Sequence, residues 1–304
     1  MEGVDRRVFL SQAAAVAAGI AVLPTVAIGG IRRDKPVIRK ALKFGMIGGE
    51  GSALEKFTLA KACGFEGVEM DSPAGWNLDE VLEAKRATGL EIPGVVLSTH
   101  WHKPFNHPND AVRKEASIAL DTALHDCKAL GGTSVLVVPA VVNASMGYAE
   151  AYERSQAEIR EHVKTAESLG VDIAFENVWN DFLLSPIEAA RYVDGFESDR
   201  VGWHFDIGNI VNYGYPAQWI EILDHRIKKL DVKEFSRQKR NDEGLWKGFA
   251  VEIGEGDCGW DAVCASLKKI GYSGWAAAEV GGGGRERLTD IAARMDAVFM
   301  PLNA

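Results

Sequence analysis

VGWHFDIGN, residues 201–209, is the stretch on which the fold turns. Valine, tryptophan and phenylalanine favour a strand, and the run is short and apolar. It ends on Asp206, with Gly208 close behind to turn the chain. Strand side chains alternate, so His204 and Asp206 share one face while Trp203, Phe205 and Ile207 share the other. An apolar back and a polar front that ends in an acid suit a strand at the rim of a barrel or sheet enzyme. Three more stretches end the same way: IAFEN at Glu176, KKLDVKE around Asp231 and WAAAEV at Glu279.

Outward from that stretch, the pattern repeats. Strands are expected at 41–47, 65–70, 92–99, 133–138, 171–177, 201–206, 227–235 and 275–280. Helices fall between them at 52–63, 77–88, 111–130, 148–169, 186–193, 216–223 and 260–270, and a last one starts near Arg285. Ser52 and Glu55 form a capping box, and Gly64, Gly89, Gly131 and Gly170 close helices. Eight strand–helix units with short links predict parallel strands in an α/β fold, a single-domain (β/α)8 TIM barrel. An open doubly wound sheet is the alternative, but no GxGxxG follows the first strand.

The composition agrees. The chain has 304 residues, 47% hydrophobic and 25% charged, enough for one large core. A net charge of -9 argues against nucleic acid as a partner, because a phosphate-binding surface needs a basic excess. Cys63, Cys127, Cys258 and Cys264 form no CxxC pair and read as buried thiols. The N-terminus is different. Arg6 and Arg7 precede a weakly apolar run at 13–22, shorter than the roughly 20 residues of a membrane span and weakened by Gly19 and Pro24. This is the pattern of a twin-arginine export signal, which places the protein in the periplasm or outside the cytoplasm, with no stable membrane span after processing. Residues 1–35 are therefore read as signal and linker, and 36–304 as the barrel.

Barrel active sites lie at the carboxyl ends of the strands. The acids expected there are Glu69, Glu176, Asp206, Asp231 and Glu279, the last four on consecutive strands. Four carboxylates crowded in a partly dry site repel one another, so either several are protonated or a cation neutralises them. Oxygen ligands in that number suit one divalent ion such as Mn or Mg. His100 and His102 in THWHKPFNHP follow strand three and are candidates for binding substrate or for acid–base work. Trp101 and Trp179 in mouth loops either stack on a sugar ring or cover the core. Lys233 shares the face of Asp231 and points at the mouth, where it stabilises an enolate oxygen or balances the acids. The loop after strand seven carries Arg237, Lys239, Arg240 and Lys247, and residues 281–284 form a glycine run that either cradles an anion or permits a tight turn.

GFEGVEM, FEN at Glu176, FDIGN at Asp206, the K-x-D-x-K-E strand around Asp231, IGEGDCGW and YSGWAAAEV together resemble the xylose-isomerase-like barrel superfamily over roughly residues 41–300. That superfamily includes sugar isomerases, epimerases and AP endonuclease relatives. The resemblance implies one divalent metal held by Glu176, Asp206, Asp231 and Glu279, with Glu176 and Glu279 also moving protons on opposite faces of a sugar. Two positions depart from the pattern. The family usually has histidine where this chain has Asp231, and often histidine where it has Asn209. The added carboxylate favours hard metals over zinc. Asn209 can hydrogen-bond a substrate hydroxyl but cannot shuttle a proton.

The expected function is a metal-dependent carbohydrate isomerase or epimerase that abstracts a proton next to a carbonyl, through an enediolate. If the enolate expels a group on the next carbon, the outcome is β-elimination of a 3-keto-glycoside, and the enzyme is a lyase. A non-catalytic sugar-binding barrel is the rival from another class. A phosphodiesterase of the AP endonuclease type fits poorly with an acidic, histidine-poor chain. A homo-oligomer is compatible with all of these.

Overall fold

The computed structural model describes residues 37–303, so the expected export signal lies outside the described residues. Eight parallel strands close in chain order into a barrel: β1 (Ile38–Lys43), β2 (Gly67–Ser72), β3 (Gly94–Leu97), β4 (Ser134–Val137), β5 (Asp172–Glu176), β6 (Val201–Asp206), β7 (Ile227–Val232) and β8 (Gly274–Ala278), with β8 paired back to β1. The surrounding helices are α1 (Ala53–Ala62), α2 (Leu78–Thr88), α3 (Asp110–Leu130), α4 (Tyr148–Arg160), α5 (Val163–Leu169), α6 (Pro186–Asp194), α7 (Ile207–Ile210), α8 (Pro216–Leu223), α9 (Arg237–Glu243), α10 (Trp260–Ile270) and α11 (Arg285–Asn303). The expected TIM barrel is the observed fold.

β6 shows why. All six of its residues are buried, because one face meets the helices and the other fills the barrel. Phe205 stacks over Trp219 of α8, with ring centroids 6.4 Å apart, and Trp203 meets Phe175 of β5 edge-on. The opposite face turns His204 and Asp206 inward, as alternation requires. The capping box at Ser52 and Glu55 forms as expected. All four cysteines are free and buried. No helix among the described residues is long and apolar enough to cross a membrane.

Several boundaries move. β1 starts three residues earlier than expected and ends at Lys43, where its pairing with β2 runs out. The chain then turns through a 3-10 segment, Phe44–Met46. The backbone beyond it splices to the glycine run after β8: Gly283 N donates to Met46 O at 3.0 Å, and Gly48 N donates to Gly283 O at 2.9 Å. A Cβ on Gly282 would lie 1.9 Å from Met46 O, so the run permits a close approach of two backbone segments. The helix expected at 148–169 breaks into α4 and α5. At the break His162 is buried, with Nε2 2.7 Å from Ser117 Oγ. The loop after β7 contains α9 and a 3-10 turn, Leu245–Phe249.

Candidate active site

Asp206 closes β6 and pairs in register with Asp231 on β7. Glu176 closes β5, and Glu279 follows β8. Their ligand atoms all lie within 4.8 Å of one another. Asn177, next to Glu176, locks β5 to β6: its Nδ2 donates to Asp206 O at 2.7 Å, and its Oδ1 accepts from Asp206 N at 3.0 Å. Asp206 Oδ1 in turn accepts the Asn209 N–H at 2.8 Å, at the start of α7. Asp206 Oδ2, both Asp231 oxygens and Glu279 Oε2 receive no well-directed hydrogen bond. Lys233 Nζ sits 3.0 Å from Asp206 Oδ2 and 3.2 Å from Glu279 Oε2.

Below this cluster lies a second one. Lys43 Nζ is 2.6 Å from Glu69 and 2.8 Å from Asp231. Lys229 Nζ is 2.8 Å from the other Glu69 oxygen, and His204 Nε2 is 2.9 Å from Asp231. Gly94 makes the room, since a Cβ there would lie 2.4 Å from Lys229 Nζ. Across both clusters three lysines face five carboxylates, so with every acid ionised two negative charges are left over. That excess is the charge of one divalent cation. Asp206, Asp231 and Glu279 each carry an oxygen without a hydrogen bond, and with Glu176 they bring four carboxylates to one point, so the donor set fits a divalent ion with oxygen ligands.

The two levels differ in proton affinity. Burial raises Glu176 well above the ordinary carboxylate range, and Glu279 raises it further. Burial pushes Glu279 up to about 7, against the pull of Lys233. Asp206 is also raised by burial. Asp231 is lowered, because His204 and Lys43 outweigh its burial. Glu69 is lowered to about 2, because Lys229 and Lys43 outweigh its own burial. Glu176 and Glu279, with raised proton affinity, line the cavity, and the firmly ionised Asp231 and Glu69 do not.

A family model described as xylose isomerase-like TIM barrel matches residues 57–297. The chain belongs to the xylose isomerase-like TIM barrel family. A putative L-ribulose-5-phosphate 3-epimerase, SgbU of Escherichia coli (strain K12), is 25% identical over 241 residues, covering 72% of this chain and 80% of its own. Among solved structures, an L-ribulose 3-epimerase superposes with a TM-score of 0.74 at 14% identity, covering 88% of this chain and 96% of that one. The 3-keto-D-glucoside 4-epimerase YcjR from E. coli superposes with a TM-score of 0.71 at 15% identity, covering 86% and 99%.

Within this xylose isomerase-like barrel, the expected site residues sort clearly. Glu176, Glu279, Asn209, Lys233, Trp179 and His100 all line one cavity of about 1210 Å³ at the carboxyl ends of the strands. Glu69 does not. Strand β2 runs on to Ser72, so Glu69 lies three residues inside its end with its carboxylate between two lysines, and Asp71, two residues on, reaches the cavity instead. His102 is exposed on a turn whose backbone bonds to Thr99, and it does not line the cavity. His100 lines it but is 5% exposed, and its Nδ1 accepts the Val138 N–H at 3.2 Å. Burial, helped by the nearby Lys43, lowers its pKa to about 3. It is a neutral ring, able to donate from Nε2 but unable to act as an acid near neutral pH. Asn209 Nδ2 donates to Asn177 O at 3.0 Å and to Glu176 at 3.4 Å, so it positions the Glu176 carboxylate. Trp179 Nε1 donates to Asn209 O at 2.9 Å, and its ring packs on Trp246 and Phe249.

Sequence reasoning missed Lys43, Lys229, Asn177 and Trp246. The signal for Lys229 is the spacing Lys229, Asp231, Lys233, which places all three on the inward face of one strand. Lys43 and Trp246 have no comparable signal, because both depend on where the chain leaves the sheet.

Proposed function

We propose that this protein is a divalent-metal-dependent sugar epimerase or isomerase that moves a proton at a carbon next to a carbonyl. The reading is carried by one observation: Glu176 and Glu279 reach the same carboxylate cluster from β5 and β8, and both line the cavity above it. General acid–base work calls for a carboxylate within reach of the substrate carbon, and two strands supply one each. In its ionised form one of the two glutamates takes the proton from carbon, and the electron pair moves into the carbonyl oxygen to give an enediolate. In its protonated form the other returns a proton. Return to the same carbon from the opposite face inverts it; return to the neighbouring carbon, with the hydroxyl proton passed from one enediolate oxygen to the other, isomerises the sugar.

A divalent cation held by Glu176, Asp206, Asp231 and Glu279 would polarise the substrate carbonyl as a Lewis acid. The chain's own residues do the rest. Asn209 holds Glu176 in place. Lys233 bridges Asp206 and Glu279 and keeps the mouth from repelling an incoming oxyanion. Lys43 and His204 fix Asp231 from below. The epimerase names of the relatives support the same class of reaction.

The test is deuterium uptake from heavy water. Metal-stripped protein, and the same protein reloaded with Mn or Mg, are each incubated with free ketoses, aldoses and 3-keto-glycosides. Metal-dependent deuterium at the carbon beside the carbonyl is expected, with a loss of about 10²–10⁴-fold in Glu176→Gln or Glu279→Gln. Product analysis then separates epimerase, isomerase and β-eliminating lyase. Tight sugar binding by metal-free protein with no exchange under any condition would instead mark a binding barrel.

A further inference from the structure

The cavity is larger and more apolar at its outer end than a single sugar ring requires. Its volume of about 1210 Å³ exceeds the roughly 300–1,000 Å³ of pockets that hold drug-sized ligands. Of the carboxylate cluster only Glu176 and Glu279 line it, while Asp206 and Asp231 are fully buried and do not. Above that cluster, the segment after β7 contributes Trp246 and Phe249, packed with Trp179 into one aromatic wall. Trp246 is 70% exposed, and Trp101, which follows β3, is 46% exposed. Strands β3 and β7 are four apart in a closed barrel of eight, so the two tryptophans rise from opposite sides of the mouth. An exposed tryptophan at a cavity mouth is costly to leave in water and is suited to stacking on a flat or ring-shaped group.

The charges along the same wall exclude another class of substrate. The cationic side chains that line the cavity are Lys43, Lys233 and Arg287. Each is already engaged: Lys43 by Glu69 and Asp231, Lys233 by Asp206 and Glu279, Arg287 by Glu252 and Asp290. Arg237 and Arg240, in the segment after β7, bond to the backbone of the neighbouring loop at Val211, Gly214 and Asn212 and do not line the cavity. A terminal phosphate would meet no lysine or arginine in the lining that lacks a carboxylate partner.

We infer that the substrate is an unphosphorylated glycoside, with its reacting sugar over the carboxylate cluster and its aglycone, a second sugar or an aromatic ring, against Trp246 and Trp101. The inference rests on the reading above only for where the reacting sugar sits. It separates this chain from any relative whose substrate carries a phosphate, and it names Trp246 as a specificity residue.

The test measures binding and needs no turnover. Calorimetry on the Mn-loaded protein compares, for each of glucose, galactose, mannose and xylose, the free sugar, its terminal phosphate ester, its phenyl glycoside and a disaccharide. For at least one sugar, the phenyl glycoside or the disaccharide should bind about tenfold or more tighter than the free sugar, and the phosphate ester no tighter. Trp246→Ala should remove that gain and leave free-sugar affinity unchanged, while Trp246→Phe keeps most of it. Loss with the phenyl glycoside alone identifies an aromatic aglycone, and loss with the disaccharide alone identifies a second sugar. A preference for phosphate esters, a gain that survives Trp246→Ala, or no glycoside binding at millimolar concentration overturns the inference. A Trp246-dependent gain without deuterium exchange would overturn the catalytic reading and leave this subsite standing.

Discussion

Lys229 and Lys233 lie four residues apart at the end of one strand, and both point into the barrel, yet they serve opposite purposes. Lys229 is 1% exposed and paired with Glu69, deep in the lower cluster. Lys233 lines the cavity and is shared between two carboxylates of the upper cluster. Below, two lysines meet Glu69 and Asp231, and the charges cancel. Above, one lysine faces Glu176, Asp206 and Glu279, and with all three ionised they do not. A balanced buried cluster holds a structure together, and a buried cluster with excess charge is poised for a ligand that completes it.

The largest expected effect tests the lower cluster. Lys229→Met leaves Glu69 charged and half-partnered in a closed interior, so it should cost about 3–5 kcal/mol of unfolding free energy, read from urea denaturation. Adding Glu69→Leu should recover most of that loss, because removing both partners leaves no uncompensated charge. A single variant as stable as the parent would mean that the lower cluster is not the balanced unit described.

The upper cluster should respond in the reverse sense. Asp206→Asn relieves repulsion in the metal-free protein and should leave its melting temperature unchanged or higher. The parent should gain about 2.7 kcal/mol when Mn is present at a hundred times its dissociation constant, and the variant should gain far less at the same Mn concentration. Scanning calorimetry with and without Mn separates the two. Equal gains in both proteins would place the cation elsewhere.

How much of this was legible in the sequence follows the same division. The acids at strand ends, Glu176, Asp206, Asp231 and Glu279, were readable because alternation fixes the face and a following glycine or loop marks the rim. Depth was not readable. Glu69 lies on the right face and at the wrong level, because the sequence does not show that β2 continues to Ser72. His204 shares the face of Asp206 as alternation requires, but its partner is Asp231 on the next strand. That contact depends on a register shift between β6 and β7 near Trp203 and His204, which no local pattern encodes. Trp246 was hidden inside a charged loop because its partners, Trp179 and Phe249, come together only when the barrel closes.

His100 gives the smallest effect and joins the two levels, since it lines the cavity but is buried like the lower cluster. Its folded pKa is lowered to about 3, chiefly by burial, against roughly 6.5 in an unfolded chain. The unfolded state therefore binds a proton that the native state refuses. The stability tied to the neutral ring is fully present above about pH 6.5 and is lost as pH falls from there toward 3, at up to about 1.4 kcal/mol per pH unit. Glu176 and Glu279 work in the opposite direction, because their raised folded affinity favours the native state as they protonate. The comparison to make is therefore parent against His100→Gln, whose amide oxygen can still accept the Val138 N–H. The difference in unfolding free energy between the two should shift in the variant's favour as pH falls from 6.5 to 4.5, while the carboxylate contribution cancels. A difference that stays flat over that window would mean that His100 takes up a proton in the folded protein, and the cavity would then hold a titrating imidazole beside its carboxylates.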